Sequence, residues 1–242
     1  MPEPVAAAIR VRNLLLLLLA GTAGAVDALS YVGLGRVFTA NMTGNTVLLG
    51  LAVGQAEGLA VVRSSLAMVG FVGGVALGAG MAVRGGRGQL WPRGATAALA
   101  VEWALLCAFA GLWLAGGVAE PRAGTAAALI VLSALAMGIQ SAVARRLDVS
   151  GVATTYITGT LTTLASSVVD RARAAAAPAG AAPSAPLAWS GEALLGSTWL
   201  VYVAGAALVA AASALGPAVM LAVPVALMTT IVLTALLRLR SG

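Results

Sequence analysis

The sequence predicts an all-α membrane protein, with about six transmembrane helices plus two short re-entrant or broken segments arranged as two inverted repeats. Three observations carry this. Of 242 residues, 60% are hydrophobic and only 9% charged, whereas a soluble domain carries roughly a quarter charged residues to face water. Mean hydropathy is +1.00, and apolar runs of roughly 20 residues, enough to cross a hydrocarbon core, recur along the chain. Two runs are shorter, more polar and similar to each other. A single transmembrane domain over 1–242 is expected, in halves of about 1–120 and 121–242.

The apolar segments fall at about 14–33, 37–53, 62–83, 95–115, 124–143, 152–169, 196–215 and 218–237. In the first, Arg10 and Arg12 precede a leucine run, and Ala23 to Ala25 resembles a signal-peptide cleavage site. The apolar stretch continues through Val26, Leu29 and Val32, so it reads as a retained spanning helix. The third carries Gly70, Gly74 and Gly78 four apart, a ladder for close helix contact. In the eighth, Pro217 stands at the start, where a missing N–H matters little, and Pro224 inside should kink the helix. Ala174 to Ser190, rich in alanine and proline, reads as a linker.

Segments 37–53 and 152–169 align without a gap. Val37, Thr39, Thr43 and Gly44 coincide with Val152, Thr154, Thr158 and Gly159. Arginine placement bears on how these segments sit. Eight full crossings leave eight arginines on the cytoplasmic side and six on the other. If the two polar segments dip in and return, only Arg36, Arg63 and Arg122 stay outside and eleven are cytoplasmic. The second arrangement obeys the positive-inside rule better. It also gives each half an odd number of spans, which makes the halves inverted.

Composition closes off much chemistry. All fourteen basic residues are arginines, set singly or in small groups between apolar runs, which is topology-setting charge rather than a nucleic-acid surface. The absence of lysine beside abundant alanine and glycine suggests a GC-rich bacterial genome. The expected location is the bacterial cytoplasmic (inner) membrane, multi-pass, with both termini cytoplasmic. Cys107 is alone, so no intrachain disulfide or thiolate metal site is expected. With no histidine, this chain supports neither Ser-His hydrolysis nor HExxH zinc chemistry. No GxxxxGK[ST] loop is present. No cofactor is expected and no enzymatic activity is assigned.

Candidate site residues come from polarity at membrane depth. Asp27 lies late in the first apolar run beside Ser30 and Tyr31; a carboxylate there is costly and should face the interior, where it could hold a proton, coordinate a cation or pair with an arginine such as Arg36. Asn41, Thr43 and Asn45 flank Gly44, and Gln140 and Ser141 are the second half's counterpart to the Asp27 region. Tyr156, Thr158, Gly159 and Thr160 complete the second motif. Gly44 and Gly159 are expected to need positive φ or a close backbone approach. Glu102 is a secondary candidate, with an interface-level or snorkelling role near Arg93 as the alternative. Threonines and asparagines in such segments can instead simply tie helices together.

Asp27-Ala28-Leu29-Ser30-Tyr31, then Phe38 to Asn45, with Gly138-Ile139-Gln140-Ser141 and Thr155 to Thr160 later, resembles the signature of the YoaK-like family of uncharacterised multi-pass bacterial membrane proteins. The resemblance spans the chain and implies that the paired motifs belong together. The residues themselves point to a secondary transporter or small-molecule permease, proton- or cation-coupled through Asp27, with the two motifs meeting near the bilayer midplane. The rival readings are a membrane-embedded enzyme acting on lipid or isoprenoid substrates and a non-catalytic membrane subunit. The expected partners are the lipid bilayer and an unidentified small molecule, not nucleic acid; homo-oligomerisation stays open.

The arginine count makes a direct prediction. A lone cysteine introduced by Gly88→Cys on a Cys107→Ser background should resist a membrane-impermeant thiol reagent in intact cells and react after lysis. Labelling before lysis would remove the six-span arrangement.

Overall fold

The computed structural model describes residues 3–82, 89–116, 123–149, 154–155, 157–176 and 190–239. Every regular element among them is a helix: α1 (Glu3–Gly33), α2 (Met42–Gly54), α3 (Gly58–Ala82), α4 (Arg93–Ala115), α5 (Ala123–Leu147), α6 (Ile157–Ala176), α7 (Ser190–Ser213) and α8 (Pro217–Arg238). Six are long and apolar enough to cross a membrane: α1, α3, α4, α5, α7 and α8. α2 has 13 residues, about 20 Å at the α-helical rise, short of the roughly 30 Å hydrocarbon core. α6 has 20 residues, but Thr158, Thr160, Thr162, Thr163, Ser166, Ser167, Asp170, Arg171 and Arg173 make it too polar to span. The expected linker starts later than Ala174, since α6 runs to Ala176; residues 177–189 lie outside the described residues.

The bundle has two central helices. In their most apolar stretches α1 is 72% and α5 67% buried, against 22–39% for the other four spans. Large apolar side chains such as Val69, Val72, Leu77, Leu200, Leu208 and Leu233 stay exposed on the outer helices, as a lipid-facing surface requires. The packing repeats itself. α3 lies on α5 and α7 on α1; α4 lies on α5 and α8 on α1; α2 lies on α3 and α6 on α7; α3 touches α4 and α7 touches α8. Two further contacts, α1 with α5 and α4 with α8, map onto themselves; with α3–α5, α1–α7, α4–α5 and α1–α8 also crossing between them, the halves interleave.

Glycine makes the closest of these contacts. Gly70, Gly74 and Gly78 are buried against Val131, Leu135 and Ile139 of α5, while Gly138 meets Phe71 and Val75 of α3. On the matching seam, Gly24 faces the Tyr202 backbone and Gly205 the Gly21 backbone. Apolar helices in lipid gain nothing from hydrophobic burial against each other, so backbone approach and van der Waals packing hold the seams.

Helix directions separate six crossings from eight. Eight alternating crossings would make α4 and α8 parallel, whereas six make them antiparallel. Trp103 donates from Nε1 to Thr229 Oγ1 at 2.9 Å, and Arg93 and Thr96, at the start of α4, share a cavity with Leu236 and Leu239, at the end of α8. The two helices run antiparallel. α3 and α5, by contrast, are parallel: Gly70 meets Val131 and Ala134, and Gly78 meets Ile139 and Ala142.

A methyl at Gly74 would collide with the backbone of Leu135, while one at Gly50 would meet nothing within 4 Å. Gly74→Ala should therefore lose about 1–3 kcal/mol of stability, the usual overpacking range, and Gly50→Ala should lose none. Detergent thermal unfolding of the two variants checks this; equal behaviour would remove the seam's role.

Candidate functional site at two helix breaks

The first site begins where α1 ends. Gly35 (φ 84) and Arg36 (φ 61) adopt the left-handed region and turn the chain back. Residues 37–41 are non-helical, with Val37, Thr39 and Ala40 buried, so the chain re-enters the bundle before α2 starts at Met42. α2 then leads back out. Its last turns, at Leu51 and Gln55, line the same cavity as Gly35 and Arg36, so the segment leaves on the side it entered. This is the expected re-entrant segment, with helix only in its outgoing arm.

Breaking a helix at membrane depth frees N–H groups that water cannot satisfy. Asp27 meets this need. Its Oδ1 accepts from the backbone N–H of Thr39 at 3.0 Å, of Ala40 at 2.7 Å and of Asn41 at 3.3 Å. Its Oδ2 accepts from the Tyr202 hydroxyl of α7 at 2.6 Å. Asp27 thus joins α1, the re-entrant segment and α7 through charge-assisted bonds. The alternative of an ion pair with Arg36 is corrected: the ion pair among the described residues is Arg171–Glu192 at 2.9 Å, between α6 and α7. Ser30 is buried but satisfies itself, its Oγ donating to Asp27 O at 3.1 Å.

Asn41 and Asn45 finish the turn. Asn41 caps α2, its Oδ1 accepting from Gly44 N at 3.1 Å, the bond an N-cap makes to N3. Asn45 is fully buried; its Oδ1 accepts from Phe38 N at 3.0 Å and its Nδ2 donates to Phe38 O. Phe38 stacks on Tyr31 with ring centroids 5.0 Å apart. Gly44 and Gly159 do not have positive φ; each is the third residue of its helix. Gly44 is needed for closeness, since a Cβ would stand 2.9 Å from the Phe38 ring and 3.0 Å from Asn41 Nδ2.

The second site uses the same places with neutral groups. Gln140 Nε2 of α5 donates to Thr154 Oγ1 at 3.2 Å and to Leu19 O of α1 at 3.0 Å. Ser141 Oγ accepts from Thr155 Oγ1 at 3.1 Å. Thr160 is fully buried, as is Asn45 at the aligned position. Thr43 and Thr158, also aligned, are both exposed, so neither points into the bundle. Tyr31 is partly outward as well, at 40% exposure. Tyr156 lies outside the described residues. Thr162 and Thr163 bond back to Thr158 O and Gly159 O within α6 and tie no helices together. The expectation that the motifs meet is corrected for their helices: α2 packs on α3, α6 on α7, and they do not touch.

Three buried groups keep unused polar atoms. Thr39 Oγ1, Gln140 Oε1 and both carboxylate oxygens of Glu102 have no hydrogen-bond partner among the described residues. Glu102 is fully buried near the middle of α4, so the interface-level reading is overturned; a snorkelling carboxylate would reach water. Sequence reasoning missed Tyr202, Thr154 and the Trp103–Thr229 contact. Tyr202 carried a faint signal, being one of three tyrosines, in an apolar run where a hydroxyl must find a partner.

Tyr202→Phe removes one bond to a carboxylate and should cost about 1.5–3 kcal/mol. Because Asp27→Asn disturbs the same network, the double variant should deviate from additivity by about 0.5–3 kcal/mol. Additive losses in a double-mutant cycle of detergent unfolding would deny the link.

Comparison with known proteins agrees with this architecture. The chain is 42% identical over 160 residues, covering 66% of this chain and 68% of the relative, to the UPF0700 transmembrane protein YoaK of Bacillus subtilis (strain 168). No solved structure matches it significantly. The sequence profile described as "Protein of unknown function (DUF1275)" matches residues 15–234, and the chain, a multi-pass transmembrane protein, belongs to that family.

Proposed function

We propose that the protein is a secondary transporter or small-molecule permease of the bacterial cytoplasmic membrane, built from two inverted three-span halves with both termini cytoplasmic. One observation carries the reading. Each half holds a polar break after its central helix, anchored by a side chain at a matching place on that helix: Asp27 to residues 39–41, and Gln140 and Ser141 to Thr154 and Thr155. Paired interrupted segments in two related halves are the arrangement that transporters use to form and gate a central site. The self-consistent packing pattern and the antiparallel α4 and α8 support the inversion.

The geometry moves the coupling role away from Asp27. Both oxygens of that carboxylate already hold donors, and its release would free three backbone N–H groups. Glu102 is the better candidate, because a buried carboxylate without a donor needs a proton or a cation to persist at that depth. The reading as a lipid-modifying enzyme is weaker: with Asp27 committed to the re-entrant segment, Glu102 has no second carboxylate for acid–base work.

The test is reconstitution. Proteoliposomes with an imposed proton gradient are incubated with bacterial metabolite extract, and their lumen is compared with protein-free vesicles by mass spectrometry. Gradient-dependent accumulation of a solute is expected, with at least about a hundredfold loss in Glu102→Gln, the lower end of the scale on which a general acid or base acts. Lumen contents equal to empty vesicles would defeat the transport reading, and product formation independent of the gradient would favour the enzyme. Accumulation undiminished in Glu102→Gln would exclude that carboxylate alone.

A further inference from the structure

The turn that starts the first re-entrant segment builds a second feature that the transport reading does not use. A cavity of about 430 Å³ opens between this turn, the end of α2 and the first turns of α3. Its lining includes Arg36, Arg63, Gln55, Glu57 and Ser64. Arg36 comes from the turn and Arg63 from α3, so arginines from two separate elements line the same cavity.

The backbone is shaped to admit Arg63. Gly35 is in the left-handed region, and a Cβ there would collide with the Arg63 guanidinium. Arg63 therefore lies half-buried against bare backbone. Among the described residues neither arginine side chain has a hydrogen-bond or ion-pair partner; Glu57 lines the same cavity but pairs with neither. The lining keeps one net positive charge. The start of α3 also faces the cavity through Glu57 and Ala60, adding the positive end of a helix dipole.

We propose that this cavity is an anion site, taking a phosphate or carboxylate group between Arg36 and Arg63. Withdrawing a guanidinium from water without a partner is unfavourable, and its planar fork of donors matches both oxyanions. Two sources present this chemistry at a membrane surface, a free solute anion and the headgroup of an anionic phospholipid. The site stands apart from the transport reading, and its test measures binding alone.

Purified full-length protein in neutral detergent is titrated with inorganic phosphate at constant ionic strength, following thermal unfolding. In parallel, it is placed in phosphatidylcholine nanodiscs with or without phosphatidylglycerol. Saturable stabilisation by phosphate is expected, weakened about tenfold or more in Arg63→Gln and Arg36→Gln, less in Arg63→Lys, and not in Arg10→Gln. Stabilisation by phosphatidylglycerol alone, with the same pattern among the variants, assigns the anion to a lipid headgroup. Arg36 is exposed, so Arg36→Gln keeps the test valid if Arg63→Gln folds poorly. No response to either probe, or a response unchanged in Arg36→Gln, overturns the site.

Discussion

A chain that leaves the α-helix inside a bilayer must supply acceptors for every N–H it frees, and in the first half one carboxylate supplies three. Asp27 gathers the amides of Thr39, Ala40 and Asn41 on one oxygen and gives the other to Tyr202. The rest of the hairpin depends on this. Without it, the amides of residues 39–41 lose their acceptor, and the turn that leads into α2 loses its anchor. The carboxyl group is tolerated because its donors replace the water it has lost. Backbone and carboxylate satisfy each other, which explains how a non-helical turn and an acid can both stay at this depth.

The second half solves the same problem without charge. Gln140 and Ser141 reach Thr154 and Thr155 through neutral side-chain bonds, and Gln140 Nε2 also crosses to Leu19 of the other half. Charge-assisted bonds are roughly twice as strong as neutral ones. Among the described residues, the first break is held by three backbone bonds to one side chain and the second by side-chain bonds from Gln140 and Ser141. The glycine seams do not share this asymmetry: Gly74 against Leu135 and Gly205 against Gly21 are equally tight. Packing treats the halves alike, and polar chemistry distinguishes them.

Much of this was legible in the sequence because bilayer physics writes it in composition. Six spans, a short α2 and the glycine ladder all follow from hydropathy and spacing, and the structure has each of them, whereas the second polar segment becomes a 20-residue α6 set apart by polarity and not by length. The helix starts were less legible. Segment 37–53 loses its first residues to the turn because Gly35 and Arg36 reverse the chain, and bonds to Asn45 and Asp27 hold residues 38–41 out of the helix. The partners of Asp27 were out of reach for the same reason. Three of its four donors are backbone groups, which carry no sequence signal, and the fourth is 175 residues away. Gly44 invited a conformational explanation, yet the Phe38 ring and the Asn41 amide demand its small size. Thr43 and Thr158 matched perfectly and still face outward, since alignment reports equivalence and not direction.

Glu102 lies on α4, a helix that packs against both α5 and α8 of the other half. α4 and α8 occupy corresponding places in their halves and touch one another. Trp103 makes that contact with Thr229, and Glu102 is its neighbour in sequence, buried and without a donor. Under the transport reading, a movement of α4 against its neighbours would change the surroundings of this carboxylate, whereas Asp27 is held by four donors. A group whose environment differs between two conformations biases their equilibrium when it gains or loses charge. Asp27, fixed by four donors, is suited to stay constant through such a cycle; Glu102, with none, is suited to respond to it.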